Sequence, residues 1–216
     1  MRFTEEHEAI RNTVAQFIDN EINPYCDQWE KDGIFPAHDL FRKMGDLGLL
    51  GIAKPTEYGG MGLDYSYQIV FSEELGRIGS GGVSMGIGVQ TDMATPAMAK
   101  FGSDYIKQEF LSKAISGEAV CSIAVSEPHA GSDVANIKTT AVKDGDEWVL
   151  NGTKMWISSA EYAGIYVVWA ISVVEGLRRN FAVIRDIDQR EGIVAALLAD
   201  DYVSRVEISM RDVHRM

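Results

Sequence analysis

Apolar positions in the first half of the chain recur every three to four residues, the spacing that gives a helix one buried face. Ile10, Val14, Phe17, Ile18 and Ile22 form the first such stripe. Thr4 stands where a helix would be capped, and Glu5, Glu6 and Glu8 fill the first turn, where the helix dipole favours acids. Asn23-Pro24 predicts an end or a bend. Pro36 predicts the start of a second helix carrying Leu40, Phe41, Met44 and Leu47. After a glycine-rich loop, Tyr58-Gly59-Gly60-Met61-Gly62, residues Tyr65 to Ile78 read as helix with Ile69, Val70 and Leu75 inward. Val83 to Lys100 reads as one helix rich in Gly, Ala and Met. Ser103 predicts the cap of a last helix striped with Tyr105, Ile106, Phe110, Leu111, Ala114 and Ile115, and Gly117 predicts its stop.

Beyond Gly117 the period shortens to that of strands. Ala119 to Val125 is an apolar, β-compatible run. Thr139 to Val142 and Glu147 to Leu150 flank Asp144-Gly145, a hairpin signal. Asn151-Gly152 before Lys154 to Ser158 reads as a second hairpin, and alternation would put Trp156 and Ser158 on one strand face. Tyr166 to Val174, Asn180 to Arg185, Gly192 to Leu198 and Arg205 to Met210 read as further strands. The expectation is an α+β chain: an all-helical domain over 1–116, then a β-barrel or β-sandwich-like domain over 117–216.

Composition narrows the function. The chain has 216 residues, 46% hydrophobic and 24% charged, as expected of a globular protein. A formal charge of −12 argues against a nucleic-acid partner. Backbone N–H groups can still hold a phosphate in an acidic protein. Cys26 and Cys121 lie far apart, the four histidines are scattered, and no spacing suggests a metal site. No apolar run approaches the ~18 residues of a membrane span. The acidic start is neither a signal nor a transit peptide, so a bacterial cytoplasm is expected, or a mitochondrial matrix if a leader is missing.

Two segments carry candidate chemistry. In Ile123-Ala124-Val125-Ser126-Glu127-Pro128-His129-Ala130-Gly131-Ser132-Asp133, an apolar run stops at a proline. Small residues then leave room for close approach, and two serines offer hydroxyls. This could cradle a phosphate or a ring edge, or be a plain polar turn. In Trp148-Val149-Leu150-Asn151-Gly152-Thr153-Lys154-Met155-Trp156-Ile157-Ser158, an aromatic plate beside a hydroxyl could meet a planar ring, or be a core tryptophan beside a solvated serine.

Taken together, about two dozen residues apart, the segments resemble the paired flavin-binding signatures of acyl-CoA dehydrogenases, S/T-E-P-x-A-G-S-D and L-N-G-x-K-x-W-I-S/T. Pro55-Thr56-Glu57-Tyr58-Gly59-Gly60-Met61-Gly62 resembles the family's P-x-x-Y-G-G-x-G loop. The resemblance implies an FAD-dependent acyl-CoA dehydrogenase that desaturates an acyl-CoA thioester, with hydride passing to flavin N5. It implies cofactor contacts at Ile123, Val125, Ser126, Gly131, Ser132, Trp156, Ile157 and Ser158, with Ser132 also touching substrate. It further implies a homo-oligomer, with electron-transfer flavoprotein as acceptor. The alternative is a non-catalytic module that binds FAD, acyl-CoA or partner subunits; a third reading is an oxidase-like relative.

Three departures qualify this. His129 stands where the family usually has glycine. The stretch Val173 to Arg179 looks shorter than the family's loop. In the family a glutamate of a C-terminal helical domain takes the substrate α-proton, and the sequence is expected to be a short form or fragment lacking that domain. Glu127 and Glu161 are available carboxylates, but neither is nominated, so the catalytic residues stay unassigned.

Overall fold

The computed structural model describes residues 3–144, 147–174, 177–186, 194–197 and 202–203. Helix α1, Glu5–Phe17, buries Val14 and Phe17. His7 closes its first turn, its Nδ1 accepting from the Thr4 backbone N–H at 3.1 Å. Asn23-Pro24 bends the chain without ending the helical run: a π-helical turn, Ile18–Ile22, and a 3-10 turn, Asn23–Tyr25, lead into α2, Cys26–Asp32. The third helix, α3, is Ala37–Asp46, and α4 is Tyr65–Leu75, capped by the Asp64 side chain. Leu40, Phe41, Met44, Phe71 and Leu75 meet Val14, Phe17 and Ile18 in the first core. Leu47, expected inward, is exposed just past the end of α3.

The helix expected over 83–100 is interrupted. It runs as α5, Gly81–Gly88, a π-helical turn, Val89–Ala94, and α6, Thr95–Phe101. Pro96 is one reason, since it offers no N–H to a regular ladder. The widened turn also presents Gln90 to the rest of the molecule. The run from Ser103 is likewise broken into α7, Asp104–Ile106, a π-helical turn, Lys107–Leu111, and α8, Ser112–Ile115. Ser103 caps it, its Oγ accepting from the Ile106 N–H, whereas Tyr105 of the predicted stripe is exposed.

Strands follow: β1 Cys121–Ala124, β2 Thr140–Asp144, β3 Glu147–Asn151, β4 Ile165–Val174, β5 Leu177–Asp186, β6 Val194–Leu197 and β7 Tyr202–Val203. Among the described residues they form one sheet in the order β3-β2-β4-β5-β6-β7. Strand β1 pairs in parallel with the first half of β4, and β2 in parallel with the second. The end strands β3 and β7 approach each other, so the sheet curls toward closure. This is the α+β arrangement expected. The hairpin between β2 and β3 is present, with Asp144 opposite Glu147; Gly145 and the predicted strand over 205–210 lie outside the described residues.

Alternation along β4 sorts the second half into two cores. Ile165 and Val167 face α6, α8 and the turns beside them, joining Met98, Ile106, Phe110 and Leu111. Tyr166, Val168 and Ala170 face the other way, onto Trp148, Leu150, Ala124 and Ala141.

Helices and sheet are joined by one side chain. Gln90, 0% exposed, donates from Nε2 to the Ala114 and Ala119 carbonyls, each at 2.9 Å, and accepts from the Cys121 N–H at 2.7 Å. It thereby ties the end of α8 to the start of β1. Gln90→Leu leaves the Ala119 carbonyl and the Cys121 N–H without this partner, while the Ala114 carbonyl keeps the Gly117 N–H at 3.4 Å, and should cost ~2–4 kcal/mol. Urea unfolding of the variant checks this; a cost below ~1 kcal/mol would mean water replaces the amide.

Candidate functional site

The two candidate segments lie side by side because of a buried ion pair. Glu127 is 4% exposed and Lys154 2% exposed. Lys154 Nζ donates to Glu127 Oε1 at 2.8 Å and to the Val125 carbonyl at 2.8 Å. Glu127 also accepts from the Lys138 N–H at 2.6 Å, the Thr139 N–H at 2.9 Å and the Thr139 hydroxyl at 2.5 Å. Burial pushes the Glu127 carboxyl up, but the bonds from Lys154, Thr139 and the two backbone N–H groups overcome it and hold its pKa at about 2. Burial lowers the Lys154 ammonium, and Glu127 pulls it back toward its usual range.

Around this pair the first segment makes a tight turn. The Glu127 and Ala130 backbones exchange bonds, N–H to O, at 2.9 and 3.1 Å, with Pro128 and His129 at the exposed tip. His129 Nε2 lies 3.3 Å from Glu127 Oε2. Next comes Gly131, where nothing in the chain comes within 4 Å of the position of a Cβ. That space is left open at the surface, beside the exposed Ser132.

The second segment is strand only as far as Asn151, the end of β3. After β3 the chain forms an irregular strap through residue 163, so the second predicted hairpin is absent. The strap takes its hydrogen bonds from elsewhere: the Met155 N–H donates to the Ser126 carbonyl at 3.0 Å, and the Ser122 hydroxyl donates to the Ser158 carbonyl at 2.7 Å. The Tyr166 hydroxyl holds the Ala160 carbonyl. Gly152 starts the strap where a Cβ would sit 2.3 Å from Thr139 Oγ1. Only glycine lets the strap pass the threonine that binds Glu127. Trp156 and Ser159 have φ of 59° and 62°, left-handed for non-glycine residues. Such conformations cost ~1–3 kcal/mol each and persist where surrounding bonds impose them. Strand alternation therefore does not place Trp156 and Ser158 on one face. Even so, both are exposed, the indole at 65%.

The nominated residues divide accordingly. Val125 and Ser126 are half-buried and bonded through their carbonyls to the strap. Ile123, on β1, packs partly against the helix-facing core, and Ile157 partly against the other. Among the described residues no hydrogen bond joins Gly131 or Ser132 to the strap. Ser158 also walls a cavity of about 540 Å³ whose other sides include Trp29, Phe35, Gly86 and Tyr162. Glu161 lines the same cavity. Sequence reasoning passed over Glu127 and Lys154 as working residues, although both stand inside the quoted segments.

A sequence profile of the acyl-CoA dehydrogenase N-terminal domain matches residues 4–118, and one of the middle domain matches 122–199. The chain belongs to the acyl-CoA dehydrogenase family. It is 36% identical over 167 residues to the mitochondrial isovaleryl-CoA dehydrogenase of Bos taurus, covering 77% of this chain and 39% of the relative. It is 39% identical over 170 residues to a probable acyl-CoA dehydrogenase of Bacillus subtilis, covering 78% and 44%. Among solved structures, the acyl-CoA dehydrogenase of Geobacillus kaustophilus matches with a TM-score of 0.79 at 32% identity, covering 94% of this chain and 57% of that one. The Bacillus anthracis acyl-CoA dehydrogenase complexed with FAD matches with a TM-score of 0.80 at 29% identity, covering 94% and 37%. The chain thus spans about two-fifths of the length of these curated relatives. No helix among the described residues is long and apolar enough to cross a membrane.

Removing one member of a buried pair strands the other, so Glu127→Gln should cost ~3–5 kcal/mol in urea unfolding. Adding Lys154→Met should recover ~1 kcal/mol or more. Because the native pKa of Glu127 is depressed, its contribution is complete above 4.5 and lost as pH falls toward about 2. The acid limb of the stability curve should flatten in Glu127→Gln; an unchanged limb would show that other carboxylates set it.

Proposed function

We propose that this chain forms the flavin-binding and part of the acyl-CoA-binding surface of an FAD-dependent acyl-CoA dehydrogenase. The observation that carries the reading is the strained strap: the Glu127–Lys154 pair holds an exposed indole and an exposed serine beside the Val125–Ser132 turn. Strain kept at an exposed aromatic has no packing purpose within the chain. The residues present fit a flavin: a flat apolar plate, an exposed hydroxyl two residues on, and an open space at Gly131 beside the Ser132 hydroxyl. The similar enzyme of Bacillus anthracis is complexed with FAD.

On this reading the cofactor supplies hydride acceptance. Trp156 and Ile157 would set the plane of the ring, and the Ser158 hydroxyl would donate near the atom that receives the hydride. Ile123, Val125, Ser126, Gly131 and Ser132 would border the ring and pyrophosphate, with Ser132 also meeting the substrate. The domains would divide at 116/117, with the cofactor against the second. Glu127 is not the α-proton acceptor, because its oxygens are taken up by Lys154, Lys138 and Thr139. Relatives act on isovaleryl-CoA and glutaryl-CoA, so a short acyl-CoA is the substrate class we favour. We further propose a homo-oligomer that hands electrons to an electron-transfer flavoprotein; an electron transferring flavoprotein of Acidaminococcus fermentans is among the similar structures.

The second reading is binding of flavin or acyl-CoA by the same surface without turnover. An absorbance spectrum of the purified chain with FAD, followed by isovaleryl-CoA, separates the two. A retained flavin band that bleaches supports dehydrogenation, and one that does not bleach supports binding alone. A folded chain that takes up no flavin would overturn both. Trp156→Gly should weaken FAD retention about tenfold or more, by loss of stacking. The same change should leave stability unchanged or raise it by ~1 kcal/mol, as the left-handed strain is relieved. Equal retention in the variant would remove Trp156 from the site.

A further inference from the structure

A second cavity, of about 400 Å³, lies on the helical part, between residues Ala53–Pro55 and the turn of helix around Thr91 to Lys100. Lys54 is one of its walls and is 5% exposed. Its Nζ donates to the Thr91 carbonyl at 2.9 Å, and no carboxylate among the described residues forms an ion pair with it. Among the described residues, the other two ammonium hydrogens meet no protein acceptor, an expensive arrangement for a buried cation. Asp92 acts on Lys54 only through space, raising a pKa that burial lowers. The Asp92 Oδ2 atom is itself occupied, accepting from Gln68 Nε2 at 3.1 Å and from the Thr91 hydroxyl at 2.8 Å. Lys100 stands exposed at the rim, Tyr65 is a further wall, and Pro55, Pro96 and Ala99 give one side an apolar character.

We propose that this cavity is a binding site for a small aliphatic carboxylate, whose oxygens take the unused hydrogens of Lys54 while its alkyl part lies on Pro55, Pro96 and Ala99. Charge selects the ligand. Lys54 and Lys100 against Asp92 leave one net positive charge, which a monoanion neutralises and a phosphate dianion would overshoot. Shape agrees, since the apolar wall offers nothing to a fully hydrated tetrahedral anion. The site stands independently of the flavin reading, because none of its walls belongs to the strap or the Val125–Ser132 turn.

The test uses the whole chain with 13C-labelled lysine side chains, titrated with sodium acetate against sodium chloride at constant ionic strength. The ε resonance of Lys54 should shift saturably, with a midpoint roughly in the millimolar range. Lys100→Gln, which leaves the buried bond to Thr91 intact, should raise that midpoint about threefold. Lys54→Met should abolish the acetate-dependent rise in melting temperature; if that variant does not fold, the wild-type resonance and Lys100→Gln decide the matter. A linear response, or a Lys54 resonance that ignores acetate, would show that the ammonium only pins the Thr91 carbonyl and would overturn the proposal. Tighter binding of inorganic phosphate than of acetate would overturn the carboxylate assignment.

Discussion

The buried Glu127–Lys154 pair is the constraint on which the candidate site rests. Ion pairs out of water gain little by themselves, since desolvation cancels most of the attraction. This one is completed by three further donors on the glutamate and a backbone carbonyl on the lysine. Its yield is geometry rather than stability. Glu127 lies in the turn after β1, Thr139 just before β2, and Lys154 in the strap after β3. Satisfying one carboxylate therefore fixes three segments that share no continuous ladder. An apolar replacement could fill the same volume, but it could not specify which carbonyl and which N–H must meet.

Fixing the strap explains the strain on it. A free chain would not hold Trp156 at a φ of 59° and Ser159 at 62°. Here Lys154 and Met155 anchor the strap before Trp156, and the bonds to the Ser158 and Ala160 carbonyls anchor it after. Between those anchors the chain must turn, and the indole is carried outward instead of into either core. The same residue type in β3, Trp148, is buried as periodicity demands. The contrast between the two tryptophans, eight positions apart, separates packing from presentation.

What the sequence revealed and what it hid follow from this distinction. Helices α1, α3 and α4 and strands β1 to β6 were legible because their apolar period is set by which face is buried. The step from helices to strands was visible for the same reason. The strap was misread because Asn-Gly followed by alternating Lys, Met, Trp, Ile and Ser carries the period of a strand, while its conformation is set by partners 27 to 36 residues earlier in the chain. The interruption at Val89–Ala94 left no periodic trace either, since Gly, Ala and Met are acceptable on any face of a helix. The site residues were legible only through resemblance. Their physics alone could not separate an exposed tryptophan from a core one.

Gln90, Lys54 and Glu127 make one argument about buried polar groups in this chain. Each is nearly inaccessible, and each meets backbone atoms at a place where regular structure fails. Gln90 serves the join between α8 and β1, Lys54 the carbonyl of a π-helical turn, and Glu127 the entry to β2. Gln90 and Glu127 have their hydrogen-bonding capacity used within the chain, which is the expected condition of buried polar groups. Lys54 does not, and it alone of the three opens onto a cavity. Helix pinning alone could be achieved by a neutral donor such as the amide of Gln90, without the desolvation cost of an ammonium. An anion sharing the cavity, as proposed above, would offset that cost.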